Sequence, residues 1–155
     1  MLYLFVKFIH IISSTILFGT GIGTASVMLY GYLTRDVRVI AAISRYVVIA
    51  DWLFTATSGV LQLATGLTLI YLAGYSFHLV WIWGALAGYL IAALCWFPVV
   101  YLQIRIRDMA QLAATANIPL PAAYYQYFKT WFLLGWPAFI SLLIVFYLMT
   151  AKPVL

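Results

Sequence analysis

The sequence has very little charge, since only 7% of its 155 residues are Asp, Glu, Lys or Arg, while 67% are hydrophobic. A soluble domain of this length needs far more charge to keep its surface in water. The 8 Lys and Arg residues are also too few and too scattered to follow a nucleic-acid backbone. The composition therefore indicates an integral membrane protein and excludes a nucleic-acid partner.

Cysteine is nearly absent as well, and Cys95 is the single one. One thiol cannot form an internal disulfide, and the chain has no Cys and His spacing typical of a zinc site. It also lacks a nucleophile triad and a phosphate-binding glycine loop. The sequence therefore assigns no catalytic residue, and an oxidoreductase activity rests only on the cofactor arguments below.

Long apolar runs dominate the chain instead. About 20 residues of helix cross the hydrocarbon core of a bilayer, and four such runs follow one another with short joints between them. The spans are predicted at about residues 2–33, 41–73, 76–102 and 124–150. We interpret the first run as a retained span rather than a cleaved signal peptide. The predicted fold class is all-α, one domain over residues 1–155 that forms a bundle of four transmembrane helices.

Loop charge predicts the orientation of this bundle. Basic residues cluster around the joint after span one and the joint after span three, whereas the joint between spans two and three has none. These residues are Arg35, Arg38, Arg45, Arg105, Arg107 and Lys129. Positively charged loops stay in the cytoplasm, so both termini are predicted to face the outside. The expected location is the bacterial inner membrane, where lipid surrounds the bundle.

The two histidines are the first candidates for chemistry. His10 lies near the outer end of span one and His78 near the start of span three, so similar depths are expected. Two imidazoles that face each other in a helical bundle can ligate the iron of an electron-transfer haem. Lys7 would then pair with a propionate and Ser14 would share the face of His10. Met149 is an alternative axial ligand, and each histidine can also be merely structural.

Small residues and prolines predict how the spans pack. The glycines of spans one and three would let another helix, or a flat ring, approach closely. These glycines are Gly19, Gly21, Gly23, Gly84 and Gly88. Pro98 and Pro137 lie inside spans three and four, where proline is expected to kink a helix.

A stripe of polar residues is predicted along span two. Its members follow at helical steps of three and four: Asp51, Thr55, Ser58, Gln62 and Thr65. An unpaired aspartate at the centre of a bilayer costs roughly 3 kcal/mol or more. Asp51 is therefore expected to form a buried ion pair with Arg105, Arg107 or Lys129. The alternative is a proton or substrate path along the stripe.

Several segments resemble known membrane proteins. Residues 7–12 (KFIHII) resemble the first helix of the HemJ and CopD group, and residues 129–139 (KTWFLLGWPAF) resemble the last helix of HemJ. Residues 50–55 (ADWLFT) and 95–105 (CWFPVVYLQIR) look like an uncharacterised bacterial family of predicted integral membrane proteins in that neighbourhood. The resemblance covers nearly the whole chain.

The resemblance has functional implications. HemJ is a haem-b-binding protoporphyrinogen oxidase that relies on a histidine in its first helix, and His10 matches that histidine. The resemblance implies haem b bound through His10. Together with His78 as the opposite ligand, which the residues themselves indicate, it points to an electron-transfer protein. Such a protein would act alone, as a homo-oligomer or as a subunit of a larger redox complex. The alternatives are a HemJ-like protoporphyrinogen oxidase and a structural membrane subunit without a cofactor.

Overall fold

The computed structural model describes residues 1–76 and 78–153, and across them the chain forms helices and no strand. The helical elements are α1 (Leu2–Thr34), α2 (Val37–Ala50), a π-helical segment (Asp51–Ala56), α3 (Thr57–Leu72), α4 (Val80–Ala116) and α5 (Ala122–Ala151). Because α2, the π segment and α3 are continuous, four stretches are long and apolar enough to cross a membrane. The predicted all-α bundle of four spans is confirmed.

The helix ends follow from local backbone chemistry. Arg35 and Asn117 end α1 and α4 in the left-handed conformation, with φ of 56° and 55°. The carboxylate of Asp36 then accepts hydrogen bonds from the backbone N–H groups of Arg38 (2.8 Å) and Val39 (3.3 Å), which caps α2. These turns bring α2 back against α1 as the next antiparallel helix.

The third span is displaced relative to its predicted limits. It begins at Val80 rather than residue 76, because Gly74 turns the chain with a φ of 66° and a short turn follows. It continues to Ala116, well beyond the predicted end at residue 102. Residues 103–116 are more polar than the rest of the span, but they remain helical. His78 consequently precedes the helix instead of lying in it.

Helices α4 and α5 pack closely against each other, because α4 has glycine at positions where a larger side chain would meet α5. A Cβ atom on Gly88 would lie 2.7 Å from Val145 Cγ2, and one on Gly84 would lie 2.9 Å from Leu148 Cδ1. The predicted close approach is therefore confirmed for span three. No helix approaches span one in this way at Gly19, Gly21 or Gly23, because a Cβ on any of them would meet nothing within 4 Å, and the approach of a flat ring there stays a prediction.

The tightest packing lies at the end of the bundle that carries the basic residues. This inner core consists of Met28, Ile40, Ala41, Val47, Leu102, Ile106, Ala110, Tyr124, Phe128 and Trp131. Arg45, Arg105 and Lys129 are exposed at about the same level. Beyond Arg105, α4 continues to Ala116, about 16 Å at 1.5 Å per residue, so the inner helix ends project past the level of these charges.

The orientation of the bundle can be tested by cysteine accessibility. In a background with Cys95→Ala, Ser76→Cys should react with a membrane-impermeant maleimide in intact spheroplasts. Thr115→Cys, at the other end of α4, should react only after permeabilisation, because the basic ends are expected in the cytoplasm. If only the cysteine at position 115 is labelled in intact spheroplasts, the orientation of the bundle is the reverse of the predicted one.

Candidate functional site

His10 lies on the face of α1 that packs against α3. Its Nδ1 is 2.9 Å from Thr65 Oγ1, and its Nε2 is 3.0 Å from Gln62 Nε2. Ser13 donates its hydroxyl to Gln62 Oε1 at 2.6 Å, so the amide NH₂ of Gln62 donates to His10 Nε2. The proton of the neutral ring is then on Nδ1 and is donated to Thr65. We call His10, Ser13, Gln62 and Thr65 the outer polar cluster.

The outer polar cluster does not fit a haem held between two histidines. Both ring nitrogens of His10 are hydrogen-bonded, so an iron would have to displace Gln62 or Thr65. A Cβ on Gly66 would lie 3.2 Å from His10 Cε1, which shows how closely α3 covers the ring. His78 is exposed in the turn before α4. Haem ligation by His10 and His78 stays a prediction, and it requires a different arrangement of His10.

The other residues predicted around a haem have separate surroundings. Lys7 is exposed, with its Nζ 5.9 Å from the centroid of the Tyr3 ring. Ser14 donates to the backbone carbonyl of Ile11 at 2.8 Å. Met149 packs against the small outer core of Ile70, Trp81 and Ile82. Contacts of these kinds are common for residues of transmembrane helices, and none of these contacts involves His10.

Asp51 is buried, with 4% of its surface exposed, and lies at the start of the π segment. Its Oδ1 accepts hydrogen bonds from Thr55 (3.1 Å) and Thr24 (3.5 Å), and its carboxyl group also interacts with the side-chain amide of Gln103. We call these four residues the inner polar cluster. Three spans contribute to it.

The ion pair predicted for Asp51 is wrong. Among the described residues the ion pair found is Arg107–Asp108, at 2.7 Å on an exposed part of α4. Arg105 and Lys129 are exposed, which keeps their charged groups among water and lipid headgroups instead of in the bundle. Neutral hydroxyl and amide groups therefore compensate the burial of the carboxyl group.

The polar stripe divides into two clusters, and both of them face α1. On the inner side Asp51 and Thr55 meet Thr24, while further out Gln62 and Thr65 meet His10 and Ser13. Ser58, between the clusters, donates to the carbonyl of Phe54 at 2.5 Å.

A cavity of about 580 Å³ opens beside the inner polar cluster, between α1, the π segment, α3, α4 and α5. Its walls are largely apolar, and eight of the lining residues are aromatic: Phe18, Tyr89, Trp96, Phe97, Trp131, Phe132, Trp136 and Phe139. The cavity exists partly because small residues line it. A Cβ on Gly21 or Gly135 would meet nothing within 4 Å. All four residues of the inner polar cluster, Thr24, Asp51, Thr55 and Gln103, line it too.

Three buried side-chain atoms at this cavity have no hydrogen-bond partner among the described residues. They are Trp96 Nε1, Trp131 Nε1 and Gln103 Oε1, and all three residues line the cavity. A buried polar group without a partner costs about 1–3 kcal/mol, and native proteins satisfy nearly all such groups. All three atoms are fully buried, so they lie behind the surface of the cavity and not on it.

Sequence reasoning missed this site. Trp96 and Gln103 lie seven residues apart, a spacing that puts two residues on one helix face, but many apolar pairs in the chain share that spacing. Trp131 comes from a different span, and no local pattern connects it to α4. Of the residues that line the cavity, the sequence indicated Asp51 and Thr55 as part of a polar stripe and Gly21 as a position that a ring could approach.

The family of the chain follows from comparison with family models. The model for DUF2269, described as a predicted integral membrane protein, matches residues 4–153. The chain belongs to this family. Both polar clusters and the cavity of this DUF2269 protein lie within the matched residues. Searches among curated proteins and among solved structures found no match. The resemblance to an uncharacterised membrane family is confirmed, and the relation to HemJ stays a prediction.

Proposed function

We propose that this DUF2269 protein binds a lipid-soluble ring molecule with oxygen substituents in its intramembrane cavity. The observation that carries the proposal is the apolar cavity itself, which is lined in part by aromatic side chains and has the inner polar cluster in its wall. The ring would pack against the aromatic side chains, and its oxygen substituents would lie towards the polar groups of that wall.

The shape and lining of the cavity support a ring over an acyl chain. Ligand sites commonly measure about 300–1,000 Å³ and combine apolar walls with a few polar groups, and a volume of about 580 Å³ lies within that range. Flat aromatic walls pack well against a planar ring. A lipid acyl chain would fill the same space but would form no hydrogen bond with the inner polar cluster in the wall.

A redox role is part of this proposal, because oxygen-substituted rings are common membrane electron carriers. The haem-based function predicted from the sequence would use a different location, since neither His10 nor His78 lines the cavity. The proposal therefore assigns the chemistry to the inner half of the bundle and a structural role to the outer polar cluster.

The test measures the binding of a naphthoquinone, and of its quinol, to the protein in nanodiscs. Binding is detected as quenching of the tryptophan fluorescence. Trp96, Trp131 and Trp136, three of the 6 tryptophans, line the cavity. Gly21→Leu should weaken binding at least tenfold, because its side chain would enter the cavity without a clash. Gly23→Leu is the matched control, since Gly23 has equal space but does not line the cavity.

Equal quenching by the Gly21→Leu and Gly23→Leu proteins, or no quenching at all, would refute the proposal. A Soret band in the purified protein that disappears in His10→Ala would support the haem-based function instead. An absorption spectrum of the same samples thus separates the two functions.

A further inference from the structure

We propose that a groove on the lipid-facing surface of the bundle binds one anionic phospholipid. The groove lies between α4 and the stretch that runs from α2 into the π segment, and it shares no residue with the cavity. Its lining residues are Val48, Ile49, Trp52, Leu53, Ile104 and Arg107. We call it the lipid groove. Because it is separate from the cavity, this inference does not depend on the proposed function.

The apolar part of the lipid groove has a buried floor and exposed walls. Val48 is buried, with 5% of its surface exposed, whereas Ile49, Trp52 and Leu53 are each more than half exposed. Trp52 also contacts the Trp96 ring of α4, with the ring centroids 6.0 Å apart, so the two helices are joined at the outer end of the groove. This part of the groove is suited to a hydrocarbon chain.

The basic part lies at the inner end of the groove, where two arginines have similar depth. Asp51 interacts with Gln103 across the two helices, so these residues mark a common level. Arg45 lies six residues inwards of Asp51, about 9 Å along the helix. Arg107 lies four residues inwards of Gln103, about 6 Å along α4. Arg45 also precedes Ile49 by one helical turn, so it is on the face of α2 that lines the groove.

Arg107 forms an ion pair with Asp108, but this pair uses only part of the guanidinium group. Its Nε and Nη2 both donate to Asp108 Oδ1, at 2.9 and 2.7 Å, which leaves three of the five N–H donors of an arginine. Arg45 has no acidic partner among residues 1–76 and 78–153, where the ion pair found is Arg107–Asp108. Two positive charges and one negative charge leave a net charge of +1 at this end of the groove.

A phospholipid satisfies the basic part and the apolar part together. Guanidinium groups form strong hydrogen bonds with phosphate, and basic pockets between transmembrane helices on the cytoplasmic side bind anionic headgroups. The phosphate would lie at Arg45 and Arg107, and one acyl chain would extend outwards along Ile49 and Ile104. A water-soluble phosphate compound would leave the apolar part uncovered. The net positive charge favours an anionic headgroup over a zwitterionic one.

The experiment identifies the lipids that the protein keeps after release from a bilayer. The protein is placed in nanodiscs that contain equal amounts of dioleoyl phosphatidylglycerol and dioleoyl phosphatidylethanolamine. Native mass spectrometry then records the lipids that stay bound when the nanodisc dissociates. The wild-type protein should keep one phosphatidylglycerol molecule, at least about fivefold more often than phosphatidylethanolamine.

Three substitutions test the position of the headgroup. Arg45→Gln and Arg107→Gln should each reduce the retention of phosphatidylglycerol about fivefold, and the protein with both substitutions should show no preference. Arg105→Gln is the matched control, because it removes the same charge from α4 about 3 Å from the level of Arg107. Arg105 does not line the groove, so its variant should retain lipid as the wild type does.

Equal retention of the two lipids by the wild-type protein would overturn this inference without the need for any variant. An equal loss in Arg45→Gln and Arg105→Gln would also overturn it, because it would show a general attraction of basic residues instead of a site. Binding of a naphthoquinone tests the cavity separately, so the lipid groove and the proposed function can each fail alone.

Discussion

Gly88→Leu should separate α4 from α5 and destabilise the bundle more than a substitution on a lipid-facing surface. A Cβ at this position would lie 2.7 Å from Val145 Cγ2 and 3.4 Å from the backbone oxygen of Ser141, and the rest of the leucine needs still more room. Overpacking of this kind costs about 1–3 kcal/mol, or more where the opposing atom belongs to backbone. Thermal unfolding in detergent should therefore begin roughly 5–10 °C lower.

The matched control for Gly88→Leu is Gly23→Leu. Both replace a mid-span glycine by leucine, so both change helix propensity and hydrophobicity alike, but a Cβ on Gly23 meets nothing within 4 Å. The two proteins should differ in unfolding temperature, with the Gly23 variant close to the wild type. Equal unfolding temperatures would show that α4 and α5 do not approach each other at Gly88.

Gln62→Leu should be the second strongly destabilising substitution. It removes the donor to His10 Nε2 and the acceptor of the Ser13 hydroxyl at once. The ring nitrogen of His10 is then left without a partner, whereas Ser13 still donates to the backbone carbonyl of His10, at 3.0 Å. Leaving a buried polar group unpaired costs about 1–3 kcal/mol, although single hydrogen bonds in membrane proteins average less. The unfolding temperature in detergent should fall by several degrees.

Thr68→Val provides the comparison for Gln62→Leu. Thr68 also lies on α3, but it is exposed and donates only to the carbonyl of Ala64 within its own helix, at 2.8 Å. A double-mutant cycle of Gln62→Leu with Ser13→Ala should give a coupling energy near 1 kcal/mol, since the two side chains contact each other. A coupling energy of zero would mean that the outer polar cluster does not link α1 to α3.

The polar stripe shows where prediction from sequence succeeds and where it stops. The steps of three and four from Asp51 to Thr65 indicated that these side chains share a helix face, and the structure turns this face towards α1. The sequence does not indicate the partners of its members, however, because these come from α1 and α4. Asp51 consequently pairs with Thr24, Thr55 and Gln103 rather than with a basic residue.

The histidines show the same limit. The sequence predicted that His10 lies in a span, and the structure confirms a helix there. The sequence could not indicate, however, that Gln62 and Thr65 form hydrogen bonds with both ring nitrogens. His78 was expected near the start of a span, and the turn after Gly74 leaves it before α4. A shift of a few residues at a helix end thus changes which groups can act together.

By itself the sequence determined the number of spans, their approximate limits and the residues of the polar stripe. Each of these depends on one segment at a time, because the transfer of a helix into lipid follows from its own apolar side chains. Only the tertiary structure decided which faces meet, where the cavity opens and which polar atoms remain unpaired beside it. Those features depend on side chains from four separate helices, whose packing no local pattern records.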